Sequence, residues 1–228
     1  MRKYLSQMLS ENKMTLIMSM PVNDPDVMRA ALDAGADVVK VHVNLLHRAS
    51  GNSFGTLEEN REVLGKMLAM TDAPMGVVLG ADVEIVRREC KVLQDFDFSF
   101  LSLYGHHAPS CVLDIPQELM AACDGTYPME EVRAFEKMDA KVLEASIMPG
   151  SEYGQPLQFR DLCKYRALAE NTRLPVVVPT QRRVLPEDVP ALYETGVKGL
   201  MVGAVVTGET AQSVYASVRE FRKAIDRL

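Results

Sequence analysis

Residues 40 to 44 read Lys-Val-His-Val-Asn. On an extended chain successive side chains alternate between faces. Lys40, His42 and Asn44 therefore share one side, and Val39, Val41 and Val43 share the other. An ammonium, an imidazole and an amide aligned this way can polarise a carbonyl, move a proton and orient a substrate. Farther along, Lys-Val-Leu-Glu-Ala-Ser-Ile (141–147) offers a carboxylate in the same setting, with Glu144 and Ser146 opposite Leu143, Ala145 and Ile147. A carboxylate base facing an ammonium suits proton transfer next to a carbonyl, and a desolvated lysine can instead form a Schiff base. The same two charges also fit a purely structural ion pair.

Further candidates cluster by position. His42 and His47 lie in or just after one strand pattern, and His106 and His107 follow another. A histidine at such a place serves as general acid or substrate donor, so His106 joins Asn44 and Ser146 as a substrate-binding candidate. A zinc or iron site with Glu144 is set aside, because neighbours on a strand point to opposite faces and chelate poorly. No metal or other cofactor is assigned.

The elements that must hold these groups are short apolar runs at 15–20, 38–43, 75–80, 98–104, 119–123, 141–147, 175–180 and 199–205. Helical patterns separate them. Asp24-Pro25 marks a helix start, and Pro116, Pro128, Pro156 and Pro186 suit similar places. Thr56 and Glu59 form a capping box. Gly35 and Gly196 end helices in left-handed conformation. Val214, Val218, Phe221 and Ile225 line one face of the last helix. Eight such units in one α/β chain, without a dinucleotide-binding glycine fingerprint after the first strand, predict a single (β/α)8 TIM barrel over residues 1–228. In a barrel the inner face turns polar at the C-terminal rim, which directs Lys40, His42 and Asn44 inward and pairs Lys40 with Glu144.

The segment 174–210 contains a strand, a loop, a helix, a strand and a Gly-containing turn. It resembles the phosphate-binding half of the ribulose-phosphate-binding barrels, most closely at Gly203 and Ala204. The resemblance implies a phosphate held by backbone amides after the seventh and eighth strands. The usual glycine pair of the seventh-strand loop is replaced by Pro179, Thr180, Gln181, Arg182 and Arg183. Thr180 and Arg182 are the expected phosphate ligands there, with Arg183 a solvated charge. Met-Pro-Gly-Ser-Glu-Tyr-Gly (148–154) is similar to the glycine-containing phosphate loops of several such barrels, which adds Gly150 and Ser151. Residues 42–55 also resemble ribulose-phosphate 3-epimerases at His42, Val43, Asn52, Phe54 and Gly55. Asn44 and Pro179 stand where that family has aspartates, so its metal mechanism does not carry over. Residues 100–105 and 142–146 look like the matching strands of geranylgeranylglyceryl-phosphate synthases.

A net charge of −6 gives no overall attraction to nucleic acid or anionic membrane. No apolar run approaches the ~20 residues of a membrane span, and the first residues carry no secretory pattern. Cys90, Cys111, Cys123 and Cys163 lack metal-ligand spacing and read as reduced thiols of a cytoplasmic protein. The expected partner is a small phosphorylated metabolite, with self-association left open. The expected activity is an isomerase or epimerase proton transfer by Lys40, Glu144 and His42. An aldolase or lyase, a prenyltransferase-type barrel and a non-catalytic binder of phosphorylated ligands stand as alternatives.

Overall fold

The computed structural model describes residues 4–228. Residues 1–3, which open the segment read as lacking a secretory leader, lie outside them. Eight parallel strands close a barrel: β1 (Thr15–Ser19), β2 (Val38–His42), β5 (Met75–Val78), β6 (Phe100–Tyr104), β7 (Glu118–Cys123), β8 (Val142–Ala145), β9 (Val176–Pro179) and β10 (Gly199–Val202). Two further strands, β3 (Leu45–Leu46) and β4 (Ser53–Phe54), form an antiparallel hairpin after β2. Among the described residues no helix is long and apolar enough to cross a membrane.

Alternation along the strands sorts the residues as the pattern predicts. Val39, Val41 and Val43 are fully buried in the apolar layer between barrel and helices. Val38, Ile17, Phe100, Met120, Val142, Val177 and Met201 form a second cluster that fills the barrel interior. Helix α1 (Leu5–Glu11) closes this cluster by inserting Leu5 and Leu9, and Glu118 accepts the Ser6 backbone N–H at 3.0 Å. Gly76 is required by packing, since a Cβ there would collide with the Phe100 ring. The plug is thus a phenyl group wedged across a missing side chain.

Helix α2 (Pro25–Asp33) starts where Asp24 accepts the N–H groups of Asp26 and Val27. Asp82 caps α4 (Val83–Leu93) in the same way, through Glu84 and Ile85, and Pro128 directly precedes α5 (Met129–Lys137). Helices α2 and α7 (Val189–Glu194) are followed by Gly35 and Gly196 at φ 103° and 88°, and Val214, Val218, Phe221 and Ile225 of α9 (Ala211–Ile225) are buried. The Thr56–Glu59 box forms, but it closes a turn ahead of α3 (Arg61–Ala69). Two proline expectations fail. Pro116 leads into β7, and Pro156 bridges to Arg183 before α6 (Phe159–Asn171), so each lies in extended chain ahead of the next element.

Candidate active site

The plug stops one layer below the C-terminal rim, and above it the barrel turns polar. Lys40 is 4% and Glu144 5% exposed, and Lys40 Nζ lies 3.1 Å from Glu144 Oε2. Ser102, inward from β6, donates to the same Oε2 at 2.8 Å. Both bonds end on one carboxylate oxygen, which leaves Oε1 for whatever enters the cavity that Lys40 and Glu144 line. Desolvating these charges is costly, and a 3.1 Å contact with a further hydrogen bond from Ser102 is the geometry that offsets it.

The cavity has a volume of about 270 Å³. Its walls come from the rim of every barrel strand. His42 is buried, with Nε2 3.5 Å from Ser19 Oγ and its ring centroid 4.5 Å from that of His47. Burial, the neighbouring His47 and the Lys40 ammonium push His42 well below the usual imidazole range. Burial and Lys40 lower His47 to about 4. Both rings are therefore neutral at pH 7.

The hairpin β3–β4 folds over this corner, with Phe54 5.4 Å from His42 between ring centroids. Asn44 turns the chain into it at φ 55°, and its amide donates to the Leu79 carbonyl at 3.2 Å. Asn44 thus supports the hairpin and does not line the cavity, because the ladder that enforces alternation ends at His42. Asn52 ties the hairpin to Pro21 O and to Glu209, at 3.0 Å each. The hairpin delivers Arg48 to the mouth, where its guanidinium carbon sits 5.7 Å from the Tyr153 ring centroid and packs on Gly150.

Arg182, expected at a phosphate, is instead buried at 2% exposure, away from the cavity. It donates from Nε to Asp161 Oδ2 at 2.8 Å and also pairs with Glu152. The β9 strand ends at Pro179, and the loop then directs this side chain outward to the first turn of α6, so its charge is satisfied inside the protein. Arg183 is exposed. Gly150 and Ser151 lie in a 3₁₀ turn, Gly150–Glu152, outside the cavity lining; Tyr153 is the residue of that loop that enters.

The loop is held by Gln181, whose amide donates to Ser146 Oγ at 3.1 Å and Tyr153 OH at 2.7 Å while its carbonyl accepts from Met148 N at 3.0 Å. Ser146 lines the cavity. Thr180 also lines it, and its Oγ1 accepts the Gly203 N–H at 3.1 Å, which leaves the hydroxyl proton to donate elsewhere. Gly203 precedes the short helix α8 (Ala204–Thr207); Val205 lines the cavity and Ala204 does not. A Cβ on Gly203 would meet nothing closer than Ser19 at 3.5 Å, and its φ of −148° suits any residue, so nothing inside the protein demands glycine.

His106 also differs from expectation. After Tyr104 the chain enters a 3₁₀ turn, Gly105–His107, so strand alternation no longer applies. His106 bonds through Nδ1 to Tyr127 OH at 2.8 Å, while His107 takes the place at the cavity wall. Among the described residues no group of three or more His, Cys, Asp or Glu is arranged to hold a metal ion. Ser102 and Tyr104 were legible from parity, since Phe100, Ser102 and Tyr104 share the inner face of β6. Nothing in the sequence marks Arg48.

No protein-family model matches the chain, and no curated protein matches it. Solved structures do. Thiamine phosphate pyrophosphorylase from Pyrococcus furiosus superposes with a TM-score of 0.65 at 20% identity, covering 95% of this chain and 97% of that one. A mutant tryptophan synthase α-subunit from the hyperthermophile Pyrococcus furiosus gives 0.71 at 14% identity, covering 93% and 98%. A 3-hexulose-6-phosphate synthase gives 0.68 at 14%, covering 92% and 99%. Two of the three carry a phosphorylated compound in their names. At these identities the likeness is one of fold: this chain is a (β/α)8 barrel, traced nearly end to end by these enzymes.

Proposed function

We propose that the protein is an enzyme acting on a small phosphorylated carbonyl compound by proton transfer at the carbon next to the carbonyl. The observation that carries this reading is the Lys40–Glu144 pair, 3.1 Å apart on the cavity floor. Glu144 Oε1 takes the proton from the α-carbon, the C–H electrons form the C=C bond of an enolate, and the carbonyl oxygen gains the charge. The Lys40 ammonium stabilises that oxygen. Delivery of that proton to the neighbouring carbon, with the adjacent hydroxyl proton passing to the former carbonyl oxygen, completes an isomerisation. Delivery of a proton from water to the opposite face, while Glu144 gives up its own to solvent, completes an epimerisation. Neutral His42 beside Ser19 orients the substrate hydroxyls.

Support for the anionic end comes from charge. Although the chain carries −6 overall, the charged side chains lining the cavity among the described residues are Lys40 and Arg48 against Glu144. The Thr180 and Ser19 hydroxyls and the room at Gly203 suit phosphate oxygens, with Arg48 taking the role that Arg182 cannot. The names of two of the three structural neighbours favour a phosphorylated substrate.

The test is deuterium uptake. Dihydroxyacetone phosphate and pentulose 5-phosphates incubated with the protein in D2O should exchange an α-proton, read by NMR, faster than the buffer rate. A panel that binds, by calorimetry, without exchange in any member refutes the proton-transfer reading and leaves a binder. Borohydride trapping of a substrate adduct on Lys40 would replace it with the Schiff-base lyase.

A further inference from the structure

The walls of the cavity are divided. The rim of β8, β9, β10 and β1 presents the hydroxyls of Ser146, Thr180 and Ser19, the Gln181 amide and the Gly203 backbone, beside the apolar Pro179, Met201 and Val205. Arg48 belongs to this half, because it reaches across the mouth to Tyr153 and Gly150. Among the described residues, the opposite rim, from β3 through β5 and β6, brings no other charged side chain to the cavity. There the hairpin gives Leu45, Leu46 and Ala49 beside a neutral His47, and β6 with its 3₁₀ turn gives Ser102, Tyr104 and His107. Leu46 is 68% exposed although it borders the cavity, an apolar side chain that the protein itself does not cover. Val78 and Ala122 line the cavity between the two halves, and Gly80 and Ala81 add little bulk on the β5 side.

The Tyr104 ring is fixed: it stacks on His106 at 5.2 Å between centroids and meets His107 edge-on at 5.6 Å. Burial raises the Tyr104 phenol and, with His106, lowers the His107 imidazole. Neither group is ionised at neutral pH, so this wall offers flat, uncharged surface.

A molecule that carried only a sugar chain and a phosphate would leave the apolar side chains of Leu45, Leu46 and Ala49 uncovered. We propose that the substrate carries an apolar aromatic ring at the end opposite its phosphate. The ring sits between Leu46 of the hairpin and the Tyr104–His107 wall. This rests on the phosphate reading above. Aromatic rings prefer offset or edge-to-face contact with a fixed ring, which Tyr104 supplies, and the hairpin closes on the other face.

The experiment is calorimetric binding of four probes to the full chain: inorganic phosphate, methyl phosphate, hexyl phosphate and phenyl phosphate. Phenyl phosphate should bind about tenfold tighter than methyl phosphate, by burying its ring, and tighter than hexyl phosphate. Leu46→Asn, at an exposed site, should remove most of that advantage while leaving methyl phosphate affinity unchanged. Tyr104→Ala should do the same, with a thermal melt to confirm folding. Phenyl and methyl phosphate binding equally would sink the ring subsite and leave the phosphate reading intact. Hexyl phosphate matching phenyl phosphate would overturn the aromatic assignment in favour of an alkyl chain. Absence of binding by all four probes would overturn both readings.

Discussion

Replacing Lys40 by methionine isolates the question of what the buried pair is for. At 3.1 Å, two unit charges attract by about 5 kcal/mol at an effective dielectric constant near 20. Removing one partner of a buried pair costs about 3–5 kcal/mol, because the other charge stays behind without compensation. Glu144 would keep its bond from Ser102, which places Lys40→Met at the low end, about 3 kcal/mol. In a chain of this length that is a fall in Tm of about 6–12 °C. Lys40→Met combined with Glu144→Gln leaves no charge to strand and should recover most of the loss. Urea unfolding of wild type, both single variants and the double variant measures the stability terms. Deuterium exchange and calorimetry with dihydroxyacetone phosphate measure function on the same samples. The expected pattern is a stable double variant with no exchange and weakened ligand binding. A double variant with wild-type exchange and affinity would make the pair a structural bridge and end the mechanism. A Lys40→Met loss below about 1 kcal/mol would refute the energetic argument itself.

The two arginines should separate cleanly. Arg48→Ala should lower phosphate affinity about tenfold with little change in stability, since its guanidinium lies at the exposed mouth. Arg182→Met should leave affinity unchanged and destabilise the fold by about 3–5 kcal/mol, because Asp161 is then buried unpaired; the opposite pattern in calorimetry and melts would reverse these roles. His47 is lowered to about 4 by burial and by Lys40, so the unfolded chain binds its proton at a higher pH than the folded one. Its contribution to stability is complete above about pH 6.5 and is lost as pH falls toward 4, by up to about 1.4 kcal/mol per unit, reduced by partial solvent exposure. Urea midpoints at about pH 7.5 and 5 should show a slope that His47→Gln flattens, and an equal slope in the variant contradicts the assignment. Gly76→Ala should destabilise by at least about 1–3 kcal/mol, because the new methyl collides with the Phe100 ring; a neutral melt would show that the plug can shift.

What the sequence determined by itself is the part governed by periodicity. Where a strand is held in a ladder on both sides, alternation is obligatory, so the inward direction of Lys40, His42 and Glu144 followed from the valines, leucine and alanine between them. The barrel followed from the same rule applied eight times. The tertiary structure decided everything beyond the last rung of each strand. Asn44 left the cavity because β2 ends at His42 and the chain turns at φ 55°. His107 displaced His106 because the backbone coiled into a 3₁₀ turn after Tyr104. Arg182 was claimed by Asp161 on α6, 21 positions away, and Arg48 reached the mouth through a hairpin whose anchors, Pro21 and Glu209, lie near opposite ends of the chain. Loop side chains go where distant partners satisfy them, and spacing along the chain carries no record of those partners.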